Sequence, residues 1–202
     1  ECDRDFIIQN IHKYDALLIG LKHIINDDIL KNASKLKCII TPTTGLNHID
    51  LDKAKSKGIE IISLFGEIEF LEKVTATAEL TWGILLSLSR KIPFAYKSVI
   101  NNNWNRDNFY GIELKDKTLG IIGYGRLGKM VANYGKAFKM KVIAHDIKFG
   151  EGKDIDFLDL NKLLRISDVV SIHLPLNKKT TNFADKNFFY NLKEGSLLIN
   201  TS

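Results

Sequence analysis

The sequence predicts an α/β protein built from two sets of alternating strands and helices. Three observations carry that prediction. Short apolar runs of strand length alternate with helical apolar patterns along the chain, as in parallel sheets with helical crossovers. A long, mostly apolar stretch over residues 74–91 separates the two sets. The second set opens on Gly123-Tyr124-Gly125-Arg126-Leu127-Gly128, a glycine pattern lying where a strand passes into a helix.

In the first set, residues 16–19, 38–40 and 59–62 read as buried strands. Between the first two, Ile29, Leu30 and Ala33 form a helical face behind Asn26 or Asp27 as cap. Asp50 is positioned to cap the next helix, and Gly58 to end it at the C′ position. A long helix is expected from about Val74 to Lys91, closed by Pro93. It carries Ala76, Ala78, Leu80, Trp82, Ile84, Leu85, Leu86 and Leu88, so it is expected to be buried, between two domains. Residues 101–111 are polar apart from residues such as Trp104 and Tyr110 and read as a loop. In the second set, strands are expected over 119–122, 141–145, 168–172 and 196–199. Helices are expected over 126–138, 160–164 and 185–192.

Composition narrows the function classes. Hydrophobic residues are 45% of the chain, enough for a packed core, and 26% charged residues with 3 prolines argue against disorder. The net charge of +5 is mild, and the lysines are scattered among acids, as Lys53, Lys55 and Lys57 stand beside Asp50 and Asp52. That is a solvated surface rather than a nucleic-acid face, despite a pI near 9.0, so no nucleic-acid partner is expected. No apolar stretch has the length of a membrane span and no signal peptide opens the chain, so no membrane partner is expected. Cys2 and Cys38 provide neither a disulfide framework nor a metal-ligand spacing, and no metal is expected. Cys38 reads as a small core residue, and the pair fits a reducing, cytoplasmic setting.

The glycine pattern gains meaning from its context. An apolar strand runs into Gly123, a helix leaves from Arg126, and the following strand ends at Asp146, 18 residues after Gly128. Gly123 allows a tight turn, Gly125 lets a pyrophosphate approach the backbone, and Gly128 lets helix and strand pack closely. The helix start presents N–H groups, with those of Arg126 and Leu127 foremost, and a positive dipole end to phosphates. The Arg126 side chain either adds charge there or is a solvated helix residue. Asp146 is suited to accept from both ribose hydroxyls of an adenosine and would repel a 2′-phosphate, so the cofactor is read as NAD rather than NADP. Lys148, two residues on, leaves room for some NADP tolerance. Without a ligand, the same glycines would be an ordinary strand-to-helix turn.

The chain resembles the D-isomer-specific 2-hydroxyacid dehydrogenases, the phosphoglycerate- and glycerate-dehydrogenase group, over nearly its whole length. The resemblance rests on Thr44-Gly45-Leu46-Asn47-His48-Ile49-Asp50, on Ala78-Glu79-Leu80-Thr81-Trp82, and on Gly111-Ile112-Glu113-Leu114 with residues 117–125. It continues through residues 167–176 and ends on Ile199-Asn200-Thr201-Ser202. It implies two doubly wound parallel-sheet domains with the active site in the cleft. Residues 1–73 would be a flavodoxin-like substrate domain lacking its first strands, and 74–202 an NAD(P)-binding Rossmann domain truncated at its C-terminal end. Family members move a hydride between NAD(H) and a 2-hydroxy or 2-keto acid. An arginine binds the substrate, and a histidine paired with a glutamate handles the proton.

That resemblance also assigns residues. The backbone loop of Thr44, Gly45 and Leu46 would hold the substrate carboxylate, a plain turn being the alternative. Leu174 and Pro175 would wall the adenosine side, and Thr201 and Ser202 would meet the nicotinamide ribose; ordinary strand-end packing is the alternative for these four. The family's arginine normally follows directly after the stretch matching Asn200-Thr201-Ser202, with the glutamate and histidine further on. None of the five histidines matches the catalytic one, so no catalytic residue is expected within these 202 residues, and the chain reads as a fragment of an enzyme of roughly 300 residues or more. His173 reads as a structural end-of-strand histidine, Asp50 as a cap, and Glu79 as a buried carboxylate needing a partner. The family's Asn-x-Pro-Gly loop is here Ser63-Leu64-Phe65-Gly66-Glu67, which bears on substrate choice, and Asn103 stands where a glycine usually precedes the tryptophan. A homodimer is expected, since the long helix and the Trp104 loop offer more apolar surface than one domain covers. The alternative function is an NAD-binding regulator of the C-terminal-binding-protein corepressor type, which shares the pattern.

Overall fold

The structure, a computed structural model, describes residues 2–147 and 155–202. Lys148 lies outside the described residues. The chain divides into two compact units, Glu1–Leu71 and Glu72–Ser202.

The first unit carries a three-stranded parallel sheet of β1 (Ala16–Leu18), β2 (Cys38–Thr41) and β3 (Glu60–Ser63), in that spatial order. Leu17 pairs with Ile39, and Ile39 with Ile61. Around it lie α1 (Arg4–Asn10), α2 (Asp27–Leu30) and α3 (Leu51–Ser56), burying Ile7, Ile25, Ile29, Leu30, Ile39 and Ala54 in one cluster. Asp50 does cap α3, accepting from the Lys53 N–H at 3.0 Å, and Gly58 takes the left-handed conformation after its end. The helix behind Asn26 is a single turn, and Ala33 falls outside it. Its cap is weak because the Asn26 Oδ1 accepts from the Arg4 guanidinium at 2.8 Å instead of from the helix start. Three expectations need correction. β1 and β3 are the outer strands of this sheet and contain no buried residue, with Leu18 73% and Ile62 46% exposed, and Cys38 is half-buried rather than a core residue.

A short helix, α4 (Ile68–Glu72), leads into the second unit. The long helix is α5 (Ala76–Ser89), and the all-round burial expected of it is not found. Ala78, Thr81, Trp82, Leu85 and Ser89 form one buried stripe, whereas Leu80, Ile84 and Leu88 are exposed. Glu79 is exposed too, its Oε1 accepting from the Thr75 hydroxyl, so it is no buried carboxylate. Pro93 does not follow the end of a single helix. Lys91 turns left-handed (φ 53°) and ends α5, and Pro93 then lies in the first turn of α6 (Ile92–Ile100), where its missing N–H has no helical acceptor to lose.

The sheet of this unit comprises β4 (Thr118–Ile122), β5 (Lys141–His145), β6 (Asp156–Phe157), β7 (Val169–Ile172) and β8 (Leu197–Asn200), all parallel in the order β6-β5-β4-β7-β8. It is doubly wound, because the chain moves outward from β4 in one direction through β5 and β6 and in the other through β7 and β8. The first unit's strands, by contrast, run in sequence order. Every residue of β7 is buried, as a central parallel strand covered on both faces requires. On one face α5 and α7 (Arg126–Ala137) pack with Leu119, Ile121 and Val169; on the other, α8 (Leu160–Ile166) and α9 (Lys186–Asn191) pack with Ile122, Val170 and Ile172. Such a sheet binds ligands at the carboxyl ends of its strands where the order reverses, here beside β4 and β7.

Candidate functional site

Three glycines at the end of β4 are glycines for three different reasons. Gly123 has φ 90°, and a Cβ on it would stand 2.6 Å from the His173 carbonyl oxygen. A Cβ on Gly128 would run into the carbonyl of Gly123, so only glycine lets α7 lie this close to the turn. Gly125 has an ordinary extended backbone (φ −79°, ψ −160°), and nothing lies within 4 Å of where its Cβ would be. Its bare backbone faces open space at the N-cap of α7.

Gly125, the N-cap of α7, has no side chain with which to cap the helix. The N–H groups of its first turn have no acceptor within the helix, and the helix dipole makes this end positive. The Arg126 guanidinium reaches back to the Val74 carbonyl, with Nη1 at 2.8 Å, which ties the helix start to the segment before α5. Leu127 packs against the core cluster beneath. Asp146, one residue past β5, accepts from the Tyr124 N–H through Oδ2 at 2.7 Å. The carboxylate is therefore held across the mouth of the turn, an anchor that sequence spacing alone could not reveal because its donor is a backbone group.

At the end of β7, the His173 N–H extends the ladder to the Ile122 carbonyl at 2.7 Å. Its ring Nε2 lies 2.9 Å from the Ser171 hydroxyl, and burial pushes its pKa down to about 4. Leu174 packs on the α8–α9 side of the sheet. Pro175 is exposed, and its carbonyl accepts from the Thr180 hydroxyl at 2.5 Å. Past β8, the Thr201 hydroxyl lies 2.7 Å from that of Thr81 on α5, and the Ser202 hydroxyl donates to the Ile172 carbonyl at 2.9 Å. Gly123, Asp146, Leu174 and Thr201 thus all stand at the carboxyl edge of one sheet. Sequence reading missed Thr81; its signal was a hydroxyl set among Ala78, Trp82 and Leu85 in an otherwise mostly apolar stripe.

Thr44, Gly45 and Leu46 follow β2 in the first unit, also at a carboxyl edge. The Thr43 hydroxyl donates to the Gly45 carbonyl at 2.8 Å, so its proton is committed there. The Thr41 hydroxyl, 3.0 Å away, must then donate to Thr43, and the buried His48 contributes its Nε2–H to Thr41 across a longer 3.4 Å. Burial lowers the His48 pKa, consistent with a neutral ring in that role. This chain of donors ties the Gly45 carbonyl back to Thr43 and so pins the loop. No cluster of three metal-ligating side chains occurs among the described residues, and no described helix is long and apolar enough to cross a membrane.

The residues present fit a dinucleotide. The space beside Gly125 admits a diphosphate, the uncapped helix start attracts its charge, and Asp146 offers acceptor oxygens one strand over. Comparison with known proteins agrees with that fit. The chain is 32% identical over 203 residues to a D-3-phosphoglycerate dehydrogenase of Archaeoglobus fulgidus, covering 98% of this chain and 38% of that protein. It is 32% identical over 201 residues to a hydroxypyruvate reductase of Thermotoga maritima, covering 99% of this chain and 64% of that one. The chain therefore spans between about two fifths and two thirds of these relatives' lengths. Its structure is similar to that of D-lactate dehydrogenase from Aquifex aeolicus complexed with NAD and lactic acid, with a TM-score of 0.83 and 31% identity over 96% of this chain and 58% of that one. Residues 82–202 match the family model described as D-isomer specific 2-hydroxyacid dehydrogenase, NAD binding domain, and the chain belongs to that family.

Proposed function

We propose that the protein moves a hydride between NAD(H) and a small 2-hydroxy or 2-keto acid. The observation that carries this reading is the open backbone at Gly125 under an uncapped helix start, with the Asp146 carboxylate anchored beside it. Gly123, Gly125, Arg126, Leu127 and Gly128 serve the diphosphate, and Asp146 the adenosine ribose. Leu174 and Pro175 flank the adenosine side, while Thr201 and Ser202 serve the nicotinamide side. Thr44, Gly45 and Leu46 hold the substrate carboxylate. NAD supplies the hydride acceptor or donor when bound. The relatives named for phosphoglycerate, hydroxypyruvate and lactate chemistry support a small hydroxy or keto acid as substrate.

His173 is not the proton donor in this reading. A group with a pKa of about 4 is deprotonated at neutral pH, and a general acid works best with a pKa near the working pH. Residues 1–202 by themselves are accordingly expected to bind NADH without oxidising it, because binding alone does not lower the chemical barrier. The complete gene product is expected to consume NADH with at least one of a panel of small 2-keto acids, followed by NADH absorbance. Silence across the panel, with NADH still bound, would sink the dehydrogenase reading.

We also propose that the protein is a homodimer in the reducing cytoplasm. Leu80, Ile84, Leu88, Ile92, Phe94 and Tyr96 are all exposed on α5 and α6, more large apolar side chains on two successive helices than scattered surface residues account for. Sedimentation of the complete gene product at high concentration is expected to give the mass of two chains. A monomer under those conditions would exclude pairing through this face.

A further inference from the structure

Thr81 lies in the buried stripe of α5 and is 1% exposed. Its Oγ1 is 2.8 Å from the carbonyl of Thr77 and 2.7 Å from the hydroxyl of Thr201, a residue 120 positions away. A carbonyl only accepts, so the single hydroxyl proton of Thr81 is committed to Thr77. The proton between the two threonines must therefore belong to Thr201. The Thr201 hydroxyl is left able only to accept from anything else that reaches it, and its rotamer is fixed by a helix rather than by its own strand.

The sheet order says what reaches it. With the adenosine ribose at Asp146 past β5 and the diphosphate at the turn after β4, the second nucleoside of a dinucleotide runs the other way, over the ends of β7 and β8. Thr201 is the first residue past β8. We propose that Thr81 is a positioning residue for the nicotinamide half of the cofactor. By taking the Thr201 proton it makes Thr201 an obligate acceptor, matched to a hydroxyl or amide N–H donor on that nucleoside. The inference rests on the NAD reading above and adds a residue that touches no ligand itself.

The test compares NADH with ADP-ribose, which lacks the nicotinamide, by calorimetric titration of the 202-residue chain. Thr81→Val keeps the shape and removes the hydroxyl. It is expected to weaken NADH about tenfold, the scale of one hydrogen bond lost or misdirected, and to leave ADP-ribose within about twofold. Thr81→Ser is expected to restore NADH binding. A purely structural role would weaken both ligands alike, and that result, or no change in NADH affinity, would overturn the proposal. Should Thr81→Val not fold, Thr201→Val removes the same bond from its half-buried end and is expected to show the same selective loss. Where both fold, the double variant is expected to bind NADH no more weakly than the weaker single variant; additive losses would overturn the coupling. Failure of the wild-type chain to bind either ligand would remove the NAD reading itself, and this inference with it.

Discussion

Gly125→Ala is expected to cost at least tenfold in NADH affinity while leaving stability within about 0.5 kcal/mol of wild type. The backbone there is extended, so alanine fits without strain, and its Cβ meets nothing within 4 Å of the protein. What it fills is the space through which a diphosphate would reach the helix start. Gly128→Ala should differ in losing stability as well as affinity. Its Cβ runs into the Gly123 carbonyl, a backbone group that cannot step aside as a side chain can. Overpacking of that kind costs about 1–3 kcal/mol, and the upper end applies here. NADH affinity should fall as well, because the displaced segment is the turn itself. Urea denaturation paired with NADH titration separates the two variants. If Gly125→Ala bound NADH as well as wild type, the diphosphate would not lie over that residue.

Asp146→Ala is expected to shift the cofactor preference toward NADP. Loss of a charged acceptor should weaken NAD by about 1.5–3 kcal/mol, and removal of a negative charge should favour a 2′-phosphate. Alanine also strips the Tyr124 N–H of its acceptor, which loosens the glycine turn for both cofactors. Asp146→Asn separates these effects, because an amide oxygen can still accept from Tyr124 while the charge is gone. It should move the NAD-to-NADP ratio in the same direction with a smaller loss of overall activity. The measurement is kcat/KM for both cofactors in the complete gene product. An unmoved ratio in both variants would mean that Asp146 does not face the ribose.

Much of the second unit was legible because its rules are local and strong. Strand-length apolar runs, the glycine spacing and the acid after β5 each follow from one physical demand, and they give four of the five strands found; β6, only two residues long, carries no such signal. The failures have identifiable causes. α6 was missed because Pro93 was read as a stop, although proline is equally at home in a first helical turn. The burial of α5 was overestimated because its composition is apolar on most faces, whereas burial depends on what packs there. The single-turn α2 reflects a competition between Arg4 and the helix start for Asn26, a contact 22 residues distant in sequence. In the candidate site, the glycines and Asp146 could be picked out by type and spacing. The Tyr124 N–H and the Thr81–Thr201 pair could not, since each joins a side chain to a partner that only the fold brings near; the His48-Thr41-Thr43-Gly45 relay is local in sequence but depends on a loop conformation that residue types alone do not set.

The central claim is that the turn after β4 binds NAD, and calorimetric titration of the 202-residue chain with NADH and with NADPH tests it most directly. Saturable binding of one NADH per chain is expected, with NADPH weaker because Asp146 repels the added phosphate. No saturable NADH binding by a folded chain, or NADPH bound more tightly than NADH, would contradict the account.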